Sequence, residues 1–227
     1  MAWPEVRLSG AVQELHHSSA EVLSRGMAQG RVVRALQPLD SAVVLGSSQP
    51  DDAVDRAACA AAGVSVARRR TGGGAVLVEA GSLVWVDVAV PAGDPLWTAD
   101  VGQAAWWLGD TWCAALTTVG LPGTKVWKGP MQRRAWSSLV CFAGLASGEV
   151  TTASGTKVVG ISQRRARWGV LFQCACLLRW EPDRLLSLLA LTPGERSSAS
   201  RELAHAASGA GPGRAACLLE SFLGALP

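Results

Sequence analysis

Three consecutive glycines, Gly72, Gly73 and Gly74, follow Arg68, Arg69, Arg70 and Thr71 and run into Ala75 and Val76. Glycine loses more backbone freedom on folding than any other residue, so a triple run is tolerated where a chain bends tightly or presses against a ligand. Free N–H groups in such a bend can cradle a carboxylate or phosphate, and neighbouring arginine favours the same anions. A flexible connector beside an exposed basic stretch would have the same composition. The run lacks both Gly-Lys-Ser/Thr and the G-x-G-x-x-G spacing, which excludes a P-loop and a dinucleotide fingerprint.

The glycines sit between two strand-like segments, 64–68 and 75–78, within a chain that alternates strands and helices. Residues 11–27 carry Ala11, Leu15, Val22 and Leu23 among polar positions and predict an amphipathic helix. Short strands are expected at 32–36 and 42–45, joined by the turn residues Gln37, Pro38, Leu39 and Asp40. Asp51 and Asp52 open an alanine-rich helix that Gly63 closes. Along 82–90, Val84, Val86, Val88 and Val90 face away from Trp85 and Asp87, the alternation of a buried strand. Asp100 and Gln103 form a capping-box pattern before a helix closed by Gly120. Strands at 149–152 and 157–161 flank the hairpin pair Ser154-Gly155, and 169–178 predicts another strand. From Pro182 onward only short helices are expected, at 185–191, 201–207 and 214–226. The order predicts an α+β fold with a central mixed, largely antiparallel sheet flanked by helices and a short helical C-terminal tail. A catalytic domain over residues 1–180 and a small helical extension over 181–227 are the expected division.

Composition removes several classes. With 49% hydrophobic and 17% charged residues the chain is not disordered. A net charge of +3 is too small for a dedicated nucleic-acid binder. Uncharged stretches such as 135–148 fall short of the ~20 apolar residues that span a bilayer, and the charged first thirty residues hold no signal-peptide core. The six cysteines show no C-x-x-C pair, so reduced thiols, no metal site and a cytoplasmic location are expected.

A second run, Gly155-Thr156-Lys157-Val158-Val159-Gly160-Ile161-Ser162-Gln163-Arg164-Arg165, places a lysine at the start of an apolar strand. Lysine occurs elsewhere only at positions 125 and 128. A partly desolvated ammonium there suits neutralising a carboxylate or a developing phosphate charge. A strand-edge lysine that discourages sheet-to-sheet pairing is the alternative. Cys141, between Val140 and Phe142, reads as a small buried hydrophobe or as a nucleophile. Arg164, Arg165 and Arg167 read as a solvated face or as a contact for an acidic domain or a phosphate-bearing arm. His16, His17 and His205 lack partners at useful spacing. Trp106, Trp107 and Trp112 read as core and groove wall, and Cys174 and Cys176 as packing.

Together the two runs resemble the lipoate–protein ligase A family, whose catalytic fold is shared with biotin ligases and octanoyltransferases. The resemblance spans roughly residues 1–180 and includes Val43-Val44-Leu45-Gly46-Ser47-Ser48-Gln49 and Gly169-Val170-Leu171-Phe172-Gln173. It implies a tunnel for a medium-length acyl chain, lined by Arg70, Thr71, Gly72, Gly73, Gly74, Ala75 and Gly160. It implies catalysis by Lys157, contacting the acyl carbonyl and adenylate phosphate, and a nucleotide held near Gly81, Ser82 and Glu149. It implies ATP and Mg2+ as co-substrates, a lipoyl domain or glycine-cleavage carrier protein as acceptor, a small acyl acid as substrate, and a monomer.

Two departures stand out. The ligases' His-Asp-x-Gly-Asn is replaced by Val78-Glu79-Ala80-Gly81-Ser82, and their Asn-Asp pair by Gly148-Glu149. Cys141, 16 residues before Lys157, resembles the acyl-carrying cysteine of the octanoyltransferase branch. That branch, however, has arginine where this chain keeps Gly74. The expected function is therefore attachment of a lipoyl or octanoyl group to a carrier-protein lysine through an acyl-adenylate. The alternatives are transfer from acyl carrier protein through Cys141, and a paralogue that only binds acyl groups or lipoyl domains.

Overall fold

Val84, Val86, Val88 and Val90 alternate with Leu83, Trp85, Asp87 and Ala89 along β6 (Leu83–Pro91), and the protein buries both rows. A strand covered on both faces must lie inside a layered structure, and β6 is central to the larger sheet. It pairs antiparallel with β2 (Val32–Pro38) on one side and β10 (Gly169–Leu177) on the other. β10 continues to β9 (Lys157–Ala166), then to β8 (Val150–Thr151) and β7 (Lys125–Val126), all antiparallel. β1 (Glu5–Gly10) closes the opposite edge parallel to β2, which makes the sheet mixed. A second, three-stranded sheet centres on β3 (Ala42–Leu45), with β4 (Ser65–Arg68) parallel and β5 (Val76–Val78) antiparallel to it. The structure is a computed structural model and describes residues 3–24 and 30–227.

The valine row of β6 and Phe172, Cys174 and Cys176 of β10 pack on α3 (Trp106–Thr118) and α6 (Ala215–Gly224). Trp112 of α3 and Phe222 of α6 meet there, with ring centroids 4.2 Å apart. The other face turns towards the small sheet, where Leu83 and Trp85 join Val44, Val78, Ala67 and residues of α1 (Val12–Ser24). Beyond the small sheet lies a third cluster, in which Val43, Leu45 and Ala75 pack on α2 (Arg56–Ala61), α4 (Pro182–Leu186) and α5 (Pro193–Leu203). The space between the two sheets is where a ligand could enter. Among the described residues no helix is long and apolar enough to cross a membrane.

The α+β fold with a mixed, largely antiparallel sheet is as expected, but it divides into two sheets and several boundaries differ. β1 was not expected: its side chains are mostly exposed and Glu5 and Arg7 give it no apolar row. The Asp100–Gln103 pair does bond as predicted, yet it closes a turn, and α3 starts only at Trp106. The alanine-rich helix starts late, at Arg56, where the Asp55 carboxylate accepts from Ala58 N. Thr192-Pro193-Gly194, read as a break, instead starts α5 with a complete capping box between Thr192 and Glu195. β9 runs on to Ala166, well past the expected end. The predicted continuation of the first helix to Met27 lies outside the described residues.

Trp112 is wholly buried between sheet and α6. Replacing it with alanine should lower stability by about 3–5 kcal/mol, read as a lower urea midpoint with an unchanged slope.

Candidate active site

The glycine bend takes its shape from what it must pass. Gly73 adopts φ +101°, a conformation side chains disfavour. A Cβ on Gly74 would lie 2.6 Å from the backbone of Val140, so this residue lets two chain segments touch. The contact continues as a parallel bridge: Ala75 N donates to Leu139 O (2.8 Å) and Cys141 N to Ala75 O (3.0 Å). From the other side, Gly46 abuts Gly73 so closely that a Cβ there would sit 1.9 Å from the Gly73 oxygen. Gln49 ties the first and last of these segments in chain order, accepting from Gly46 N and donating to the carbonyls of Ser138 and Leu139.

Arg69 is buried in this wall. Its Nη2 donates to Gly72 O (2.7 Å) and Gly74 O (2.9 Å) and lies 3.9 Å from Cys141 Sγ. Its Nε and Nη1 are buried without a hydrogen-bond partner, an arrangement that favours an incoming anion. Arg70, singled out from the sequence, is exposed and lines an outer pocket of about 320 Å³ with Arg68 and Arg164. The signal that distinguishes the two arginines was present. Buried Ala67 and buried Arg69 share one row of the strand alternation, and Arg68 and Arg70 the other. Thr71 is buried, and its hydroxyl lies 3.5 Å from Gln173 Oε1.

Lys157 is 3% exposed and Glu149 4%. Lys157 Nζ is 2.7 Å from Glu149 Oε2 and donates to Cys141 O (3.2 Å) and Gly144 O (3.1 Å), which engages all three ammonium donors. Its charge also lies 4.8 Å from the centre of the Phe142 ring. The carboxylate is held in turn by Ala146 N and Ile161 N. Gly160 leaves room for this cluster, since a Cβ there would come within 3.2 Å of Phe142 and 3.5 Å of the Lys157 stem. The Lys157 backbone is pinned by residues well beyond the sheet: it donates to Ala206 O and accepts from Ser208 N.

The glycine bend and the ammonium thus meet on one short turn, Cys141–Ala143 with Gly144, from opposite sides. Behind the turn lies an apolar cavity of about 70 Å³, several times the ~10–15 Å³ a buried water needs. Val44, Val78, Leu83, Trp85, Ala175 and Gly160 line it, and Cys141, Arg69 and Glu149 border it. Gly81 and Ser82 lie elsewhere, in the β5–β6 turn, where Ser82 Oγ donates to Glu79 O and accepts from Glu79 N. Ser82 faces a separate small cavity bordered by Phe142, Trp180, Arg179 and Arg184, the two arginines reaching Glu79. Arg165 is engaged by the carbonyls of Thr98 and Ala99. Among the described residues no group of three His, Cys, Asp or Glu is placed to hold a metal ion.

His16 of α1 packs against Trp85 with ring centroids 4.5 Å apart and the rings tilted by 44°, at the border of the apolar cavity. Burial, assisted by the nearby Arg69 charge, pushes its imidazole down to about 4. Trp85 is fixed by its indole N–H, which donates to Asp87 Oδ1 (3.0 Å).

A family model described as the lipoyl protein ligase A/B catalytic domain matches residues 15–208. No curated protein matches the sequence. Among solved structures, the chain is similar to a bi-partite lipoate protein ligase of Thermoplasma acidophilum, solved in a study with its E2 lipoyl domain. The TM-score is 0.76 at 16% identity, covering 99% of this chain and 82% of that one. A second T. acidophilum structure, with bound lipoic acid, gives a TM-score of 0.74 at 18% identity, covering 99% and 84%. A lipoate-protein ligase A bound with ATP gives 0.72 at 18% identity, covering 99% and 85%. At these identities the likeness is one of fold.

Two predictions follow from this geometry. Gly72 faces open space, so Gly72→Ala should leave stability within ~0.5 kcal/mol, whereas Gly74→Ala must displace the Val140–Cys141 backbone and should lower the melting temperature clearly. The second concerns His16, whose folded pKa of about 4 lies below the unfolded value of 6.5. The unfolded state therefore binds the extra proton first as pH falls, and stability is lost from about pH 6.5 down to about pH 4, by ~3 kcal/mol in all. The difference in urea midpoint between the protein and His16→Gln should change across that window and be constant above it.

Proposed function

The chain belongs to the lipoyl protein ligase A/B catalytic-domain family, and from that premise we propose that it joins a lipoyl or octanoyl group to a carrier-protein lysine through an acyl-adenylate. The observation that carries this reading is the shared turn, with a buried ammonium on one side, a glycine bend on the other and an apolar cavity behind. The acyl tail lies in the cavity and its carboxylate meets the free N–H groups of Arg69. A carboxylate oxygen attacks the α-phosphorus of ATP and pyrophosphate leaves. Lys157 and the Gly72–Gly74 N–H groups oppose the charge that builds on the phosphate. The acceptor lysine, as free amine, then attacks the acyl carbon; the amide forms, AMP departs with the bonding pair, and the surplus proton passes to water.

ATP use and a lipoyl-domain acceptor are supported by the relatives solved with ATP and studied with an E2 lipoyl domain. The nucleotide would lie on the far side of Phe142, against Ala75, Ser82 and the Arg179–Arg184 pair, with Mg2+ carried on its phosphates. The proposed site thus comprises Arg69, the glycine bend, Lys157 and Glu149, and the catalytic unit, which acts in the cytoplasm, extends past residue 180 to the stretch that bonds the Lys157 backbone.

A second reading rests on Cys141, whose thiol borders the cavity beside Arg69. The thiol would attack an acyl-carrier thioester, release the carrier thiol, and pass the acyl group to the amine. Gly74 favours the ligase, because the arginine of the transferase branch would meet the Val140 backbone there.

Intact-mass measurement of a lipoyl domain, after incubation with the protein, lipoic acid and ATP, tests the proposal. The expected result is lipoylation, accompanied by acid-dependent ATP–pyrophosphate exchange. Lys157→Ala should lower kcat/KM about a hundredfold or more and Cys141→Ser should leave exchange intact. Full turnover by Lys157→Ala would sink the site, and a Cys141-dependent acyl adduct without exchange would establish the transferase.

A further inference from the structure

A polar row crosses the large sheet beside the apolar cavity. Arg34 of β2 pairs with Asp87 of β6, Asp87 with Gln173 of β10, and Gln173 with Ser162 of β9. Residues paired in this way point to the same face. Ser162 and Gln173 line the cavity, and so does Trp85, two residues before Asp87. The other two members are charges withdrawn from water: Asp87 is 0% exposed and Arg34 5%. The proposed reaction uses neither, and well-packed apolar side chains in their place would be as stable or more so. What Asp87 touches gives it a task.

Asp87 Oδ1 accepts from the Trp85 indole (3.0 Å). Ser19 of α1, Arg34 and Gln173 also favour its carboxylate form. Gln173 in turn presents Oε1 to the Thr71 hydroxyl, 3.5 Å away. Thr71 opens the glycine bend, and its carbonyl accepts from Ser47 N, next to Gly46. One carboxylate thus sets an indole of the cavity and, through one amide, the start of the bend whose carbonyls hold Arg69.

We propose that Asp87 is a positioning residue for acyl transfer, its carboxylate orienting Trp85 and Gln173 and, through Gln173, the Thr71 end of the glycine bend. This rests on reading the cavity and the bend as the acyl site, and holds for either route of transfer. Burial pushes the Asp87 carboxyl up to about 6, against the pull of Ser19, Arg34, Trp85 and Gln173. Oδ2 is buried without a hydrogen-bond partner. A proton settling there replaces an acceptor by a donor and removes the charge beside Arg34. The other charged or titratable groups of this neighbourhood are Arg34 from β2, His16 and Glu21 from α1, Arg69 from β4 and the Cys174 thiol from β10. His16 titrates lower, at about 4, and burial pushes the thiol up. The folded state takes up the Asp87 proton before the unfolded state does, so this protonation adds stability as pH falls from about 6 towards 3.8. Loss of function in that window is then not loss of fold.

Octanoate binding to the full chain, by calorimetry, and acid-dependent ATP–pyrophosphate exchange are to be compared between the protein and Asp87→Asn, from about pH 8 to about pH 5. The amide holds the neutral form at every pH, and titration of octanoate and nucleotide cancels in the ratio. At the alkaline end the variant should bind and exchange about tenfold or more worse, with KM for ATP unchanged. Below about pH 6 the two should converge, while the urea midpoint of the protein rises relative to that of the variant. Gln173→Leu, which leaves the charge pair intact, should show the same loss and the same convergence, and adding Asp87→Asn to it should cost less than about twofold more. A ratio that stays constant with pH, losses that multiply in the double variant, or no octanoate binding at all would overturn the assignment. Octanoate binding that follows this pattern without exchange would refute the adenylate route and leave the positioning role standing.

Discussion

The buried pair of Lys157 and Glu149 is the interaction on which the rest of the site depends. Two charges withdrawn from water are tolerated only when each finds enough partners, and removing one partner from such a pair typically costs about 3–5 kcal/mol. Here the partners are backbone groups from separate stretches: carbonyls of Cys141 and Gly144 on the ammonium, amides of Ala146 and Ile161 on the carboxylate. The pair therefore fixes the 141–149 segment against β9. Through the Ala75–Val140 bridge that segment in turn fixes the glycine bend. The cavity exists because this chain of contacts keeps the turn from collapsing onto the sheet.

The C-terminal helices take part in the same arrangement. Leu185, Leu189 and Leu203 pack under the small sheet, Leu218 and Phe222 on the large one. Between them, residues 206–208 pair with the backbone of Lys157. An ammonium held in a closed space needs its own main chain held, and the first residue of a strand has a ladder on one side only. The stretch after α5 supplies the other side.

Much of the fold could be read from the chain because alternation is strong where both faces of a strand are buried, as in Val84 to Val90. It failed where a strand is an edge with no apolar row, as in Glu5 to Gly10, and where a capping pattern was the right chemistry in the wrong element. Asp100 and Gln103 close a turn, while Thr192 and Glu195, passed over for the proline and glycine between them, start a helix. For the site, residue types and order pointed to Gly72–Gly74 and Lys157, which the structure brings onto one turn. The identity of the arginine in the wall depended on which row of β4 points inward, and the role of Glu149 on a contact across 8 residues of hairpin that no spacing rule specifies.

Gly46 and Gly73 come from different loops and touch backbone to backbone. A survey of substitutions would find both positions intolerant and, since one lies in a glycine-rich bend and the other does not, would invite two separate explanations. The packing supplies both. Gly46 is small because a Cβ there would meet the Gly73 oxygen, whereas Gly73 is small because of its own left-handed φ and because a Cβ there would meet the Arg69 guanidinium at 2.8 Å, so sensitivity at position 46 reports on the path of the bend at position 73.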